Sequence, residues 1–208
     1  MKAGSKNRSP KTKGFSLLEL CMVVLVSACC LTAGVVWLMP PVSQKRKAAT
    51  DAVIRMVETA RSSALAGGKS VILAVADPDV LQGIDGYRLG VFVIQKMPGT
   101  SDEPILVSQV QRWSEISENI VFAKGEVNES PNLMDSEKRE IRYGSEADPK
   151  QIQVRILEFN PDGGLAVPQG DGPVVMRVAE RAKGNGSEAG AREDWVKIGR
   201  VNARAYRF

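Results

Sequence analysis

An uninterrupted run of twenty residues without a charge, Leu20–Met39 (LCMVVLVSACCLTAGVVWLM), constrains this chain more than any other feature. As a helix, twenty residues at about 1.5 Å each span roughly 30 Å, the thickness of a bilayer's hydrocarbon core. A core helix of a soluble domain is rarely so long and so apolar on every side. Ahead of the run, residues 1–14 carry Lys2, Lys6, Arg8, Lys11 and Lys13 and no acid. Positive charge stays cytoplasmic, so the order basic tail then apolar run predicts one membrane crossing with the remainder exported. Trp37, near the far end, suits an interfacial anchor.

The same tail explains the net charge of +4 on 208 residues. Without it, 23 Lys+Arg face 24 Asp+Glu, so the body has no basic excess to offer a nucleic acid. Histidine is absent, which excludes Ser-His-Asp and Cys-His nucleophiles and histidine-ligated zinc. Aromatics are 5%, too few for base-stacking platforms. The three cysteines, Cys21, Cys29 and Cys30, all lie in the apolar run, so the body has no disulfide framework.

Three targeting devices compete for the N-terminus. A secretory signal peptide would have an apolar stretch of about 7–15 residues ending at a small-x-small site, and this run is longer and begins at the charge of Glu19. A lipoprotein signal would use Val26-Ser27-Ala28-Cys29, with Cys29 lipidated, but a greasy segment follows where a polar tether belongs. The third device rests on Lys13-Gly14-Phe15-Ser16-Leu17-Leu18-Glu19-Leu20, which closely resembles the N-terminal motif of type IV prepilin-like proteins. The resemblance implies cleavage between Gly14 and Phe15 by an inner-membrane prepilin peptidase and N-methylation of Phe15. It also implies that Glu19 is the family's acidic assembly residue.

A carboxylate at a bilayer's edge is costly unless paired or functional. Glu19 is the only acid before Asp51. Cleavage would place a cationic amine on Phe15, and a neighbouring subunit's Glu19 could neutralise it in one axial register. The plain alternative is that Glu19 snorkels to the interface.

After Pro40-Pro41 a second helical stretch carries Val53, Ile54, Val57, Ala60, Ala64 and Leu65 at helical period and stops at Gly67-Gly68. The reading is one long helix with a proline bend. Strands are expected at 70–76, 87–95, 105–113, 120–123, 151–159, 174–179 and 195–201, between turns such as Asp85-Gly86 and Pro161-Asp162-Gly163. Residues 126–150 read as a long polar loop and 183–192 as an exposed Gly-rich excursion. The expected organisation is a cleaved leader over 1–14, a transmembrane assembly helix over 15–39, its continuation over 40–68 and a periplasmic β-rich domain over 69–208.

Further matches sharpen the resemblance. Ala60-Arg61-Ser62-Ser63-Ala64 leading into Lys69–Leu73, the turn Phe159-Asn160-Pro161-Asp162-Gly163 and the segment Trp195–Val201 are similar to minor pseudopilins of the H and FimT type. The closing segment is also similar to the Verru_Chthon cassette protein D group. The resemblance implies an α+β, pilin-like fold, a long N-terminal helix packed on a C-terminal antiparallel sheet. It implies a structural minor subunit of a type II secretion pseudopilus or type IV pilus-like filament, in the inner membrane until assembled. The partners it implies are the prepilin peptidase and other pilins or pseudopilins, with no catalytic residue, no cofactor, no metal, no small-molecule substrate and no nucleic acid. The rival is a membrane-anchored periplasmic binding or enzyme domain that never polymerises.

Weaker signals fall away. Gly67-Gly68-Lys69-Ser70 lacks the P-loop's first glycine and follows a helix instead of preceding one. Asp77, Asp79 and Asp85 lack the spacing of a calcium loop, leaving only a looser oxygen site open. The adjacent acids Asp102/Glu103 and Glu193/Asp194 read as solvated, Arg61 as a partner for Glu58 or a sheet residue, and Lys197, Arg200, Arg204 and Arg207 as solvated faces of a terminal strand, or as the basic patch if the subunit binds DNA.

Overall fold

The computed structural model describes residues 17–38, 41–78, 86–96, 99, 103–125, 130–145, 148–182 and 189–208, with side chains in the first helix described from Leu17 to Cys30. The chain divides into two compact units, Met1–Pro40 and Pro41–Phe208. The leader, Gly14 and Phe15 lie outside the described residues.

The first unit contains helix α1, Leu17–Leu38. The second opens with helix α2, Val42–Gly67, whose N-cap residue Pro41 is extended (φ −60°, ψ 151°). Its last turn ends on Gly68 at φ 58°, whose N–H donates to the Ala64 carbonyl, the left-handed stop that glycine supplies without strain. Among the described residues ten strands follow: β1 Val71–Ala76, β2 Arg88–Lys96, β3 Ile105–Glu115, β4 Ile120–Ala123, β5 Arg139–Ser145, β6 Asp148–Phe159, β7 Leu165–Val167, β8 Val174–Arg181, β9 Ala189–Ile198 and β10 Ala205–Arg207.

The expected pilin-like fold is corrected by this arrangement. The chain does not form one long N-terminal helix on an antiparallel sheet. Helical geometry is interrupted at the extended Pro41, leaving two helices in separate units. The sheet closes on itself, with β1 antiparallel to β2 along one edge and to β6 along the other. The ring β1-β2-β3-β5-β6 is a five-stranded barrel with β7 appended to β6, and β10-β9-β8-β4 form a second, four-stranded antiparallel sheet.

The closure follows from β1 itself. All six residues of VILAVA are buried, because both faces of the strand are covered. Side chains alternate in direction along a strand. Ile72, Ala74 and Ala76 therefore join Phe92, Ile105, Val107, Ile141, Ile152, Val154 and Ile156 inside the barrel. Val71, Leu73 and Val75 point outward into a second core shared with α2 and the four-stranded sheet.

Helix α2 supplies Ala49, Val53, Met56, Val57, Ala60 and Ala64 to that outer core, all buried. The expected face shifts slightly: Ile54 is only partly buried, and Leu65 is 45% exposed. Leu65 lies at the Asn160–Gly164 turn, where Gly163 has φ +80° and an added Cβ would stand 3.0 Å from the Leu65 side chain. Glycine is needed there on both counts. All seven expected strands are present, β4 at its expected bounds and the others with shifted ends. The expected 126–150 loop instead contains a 3-10 turn at Leu133–Asp135 and the whole of β5.

Candidate assembly helix and a cleft in the barrel wall

Helix α1 is built from residues that are apolar around its whole circumference. Leu17, Leu18, Leu20, Met22, Val23, Val24, Leu25 and Val26 are all at least 56% exposed. Fully burying one Leu, Val or Met gains roughly 1.5–3 kcal/mol, so eight such side chains represent on the order of 10 kcal/mol of cover. Glu19 lies in the first turn of this helix and is exposed. Cys21, Cys29 and Cys30 are exposed on it and form no disulfide. Among the described residues no helix is long and apolar enough to cross a membrane; the expected crossing over 15–39 extends beyond the described side chains.

Helix α2 is held differently. Arg46 donates to Glu180 at 2.7 Å and lies 3.2 Å from Asp194, with all three side chains at most one-fifth exposed. Thr50 donates to Asp194 at 3.3 Å. Arg207 of β10 reaches Asp51 and the Lys47 carbonyl, both at 3.2 Å. The pair Glu193/Asp194, expected to be solvated, is engaged instead: Glu193 pairs with Arg177 at 2.9 Å. Consecutive residues of β9 point to opposite sheet faces, so each acid meets a different arginine. Arg61 pairs with Glu58 at 3.5 Å, as expected.

The basic C-terminal patch is largely occupied within the chain. Arg200 donates to the Gly172 carbonyl at 2.9 Å and to that of Pro168, and burial lowers its pKa against the pull of Asp171. Lys197 sits over the Phe208 ring at 5.5 Å, and Arg207 holds α2.

A half-buried acid and a buried one flank the barrel. Asp77, just past β1, receives both oxygens' bonds from Arg155 at 2.7 Å and an ion pair from Lys138 at 2.7 Å. Burial alone raises its pKa, but the hydrogen bonds and charges of Lys138 and Arg155 outweigh that and lower it. The carboxylate that suggested an oxygen-ligand site is thus taken by two cations; Asp79 and Asp85 lie outside the described residues. Glu158 on β6 is 5% exposed, and burial raises its pKa against the opposing charge of Arg139.

A concavity opens where β3 and β5 diverge. It holds about 570 Å³ and is lined by Gln95, Val107, Ser108, Gln109, Tyr143, Gly144, Ser145, Asp148 and Lys150. Phe92, Trp113 and Tyr143 cluster beside it, with ring centroids 5.3 Å (Phe92–Trp113) and 5.4 Å (Phe92–Tyr143) apart, and Trp113 Nε1 donates to the Tyr143 hydroxyl at 3.3 Å. None of these residues stood out in the sequence, because the cleft is made by strands whose pairing is not local. No protein-family model, no curated protein and no solved structure matches the chain.

Proposed function

We propose that the protein is a structural subunit processed like a prepilin, which anchors in the inner membrane by α1 and then assembles through it into a type II secretion pseudopilus or type IV pilus-like filament. The observation that carries the reading is the bare apolar helix. Its described side chains are exposed, and the motif Gly14-Phe15 with Glu19 lies at its start. Such a helix does not stay uncovered in water. Lipid covers it first and the helices of other subunits afterwards. The β body is the exported part, and it departs from the body the motif's family implies. The protein is a substrate of the prepilin peptidase and has no catalysis of its own.

Glu19 gives the assembly its register. In a water-poor environment the amine of Phe15 on one subunit and the Glu19 carboxylate of the next attract strongly. Removing one partner of a buried pair costs about 3–5 kcal/mol, or roughly two to four powers of ten in association at 1.4 kcal/mol per tenfold. Glu19→Leu should therefore be cleaved and remain in the membrane fraction, yet recover its partner pilins poorly on crosslinking. Equal recovery would reject the assembly role. It would favour the rival, an anchored periplasmic binding or enzyme domain that does not polymerise, for which the 570 Å³ cleft is the one supporting observation.

A further inference from the structure

The barrel has five strands, and around a closed ring strict antiparallel alternation needs an even number. One neighbouring pair must therefore run in the same direction. That pair is β3 and β5, and it is the weakest seam of the ring. Its parallel register covers only Ile105↔Ile141 and Leu106↔Arg142. By comparison, β1 and β2 pair at six positions and β5 and β6 at seven. Past Leu106 and Arg142 both strands continue, β3 laddered only to β2 and β5 only to β6. Two strand edges thus face each other across the cleft.

The backbone directions can be followed. Ile94 N–H donates to the Ser70 carbonyl on the β1 side at 3.0 Å. Alternation then aims Val93 at β3, where it opposes Ser108, and turns the N–H and C=O groups of Val107 and Gln109 to the cleft. Gln109 Nε2 donates to the Gln111 carbonyl at 3.1 Å, a side chain standing in for a strand partner. On the other wall Gly144 has φ +106°, and a Cβ there would lie 2.6 Å from the Asp148 carbonyl oxygen. Glycine there lets β5 lie close against β6.

We propose that this seam receives an extended segment of another polypeptide, running antiparallel to both β3 and β5. A sixth strand there restores alternation around the ring and gives both edges a partner, which is recognition by strand addition. Its side chains alternate between two environments. One set meets Val107 and Tyr143 and is apolar. The other stands at the rim, where among the described residues Arg142 and Lys150 outnumber Asp148, and is acidic. The segment is therefore one of alternating apolar and acidic residues. Among the described residues this is the place where two unladdered edges converge, whereas β4 and β10 each present one edge at the border of the second sheet. The proposal does not depend on the filament reading.

The test is amide hydrogen exchange on the full chain in detergent, with an acetylated peptide of alternating valine and glutamate as the probe. Exchange should slow by about tenfold or more at residues 107–111 and 143–145, while β1 is unchanged. The same peptide with proline at alternate positions should give no slowing, since it has no N–H to offer at those positions. Arg142→Glu with Lys150→Glu, both exposed, should weaken the protection while β1 exchange reports an intact fold. Unchanged exchange at both walls would overturn the proposal. So would equal protection by the proline peptide, or equal binding to the charge-reversed variant. Protection in the protein alone that rises with its own concentration would assign the seam to a second copy and overturn the claim for a foreign segment.

Discussion

Helices α1 and α2 are neighbours in sequence and similar in length, yet they answer the same physical demand in opposite ways. Helix α2 confines its apolar residues to one stripe, and the chain's own sheets cover that stripe. Its other faces carry Arg46, Asp51 and Arg61, each tied by an ion pair. Helix α1 has no polar face to turn outward, and Leu17–Val26 are exposed. The difference lies in how the apolar content is arranged around each axis: a stripe packs against one core, whereas an all-round apolar surface needs cover on every side.

The sharpest way to break this comparison is one truncation in each helix. Met56, 3% exposed on α2, should cost the body about 2–5 kcal/mol as Met56→Ala. Leu25, 63% exposed on α1, should cost it less than about 0.5 kcal/mol as Leu25→Ala. Chemical denaturation followed by the tryptophans of the body would read both. A large loss in the α1 variant would mean that the stability of the body does not rest on the α2 stripe alone.

A smaller effect is expected from the ionic attachment of α2. Arg46→Met leaves Glu180 and Asp194 partly buried without their cation, at a cost of about 1–3 kcal/mol. A double-mutant cycle with Glu180→Gln should recover part of that cost, and strict additivity would show that the pair does not fasten the helix.

The acid limb should show the smallest effects, of opposite sign for two carboxyls. The pKa of Asp77 is lowered from its ordinary 3.8, so the unfolded chain takes up the proton first as pH falls. Its contribution is present above about pH 4 and is lost as pH falls through the lower folded value. Asp77→Asn should therefore flatten that part of the stability profile. The pKa of Glu158 is raised from 4.5, so the folded chain holds its proton more tightly. That contribution is full below 4.5 and is lost as pH rises through the raised value. Glu158→Gln should make stability less sensitive to pH there and raise it at neutrality. Thermal melts between pH 3 and 7 would distinguish the two.

Much of this body was legible from local pattern. Strand β1 announces itself by its apolar run and the α2 stripe by its helical period, and β4 falls at the expected 120–123. Strand β5 does not, because only Ile141 of its seven residues is buried and the rest read as polar loop. Strands β7 and β10 are three residues each, too short to carry a period. The barrel's closure was invisible because it depends on β1 meeting β6 some eighty residues later. The roles of Glu193 and Asp194 were missed for the same reason, since their partners Arg177 and Arg46 are remote in sequence or on another element. Of the candidate assembly site, Glu19 and the apolar helix were readable, while the cleft was not.

The central claim is that α1 begins life behind a leader and is released for assembly by cleavage after Gly14. Intact mass and N-terminal sequencing of the protein extracted from membranes test it most directly. The account predicts a chain beginning at Phe15 and carrying one added methyl group. A chain beginning at Met1, or at a lipidated Cys29, would contradict it.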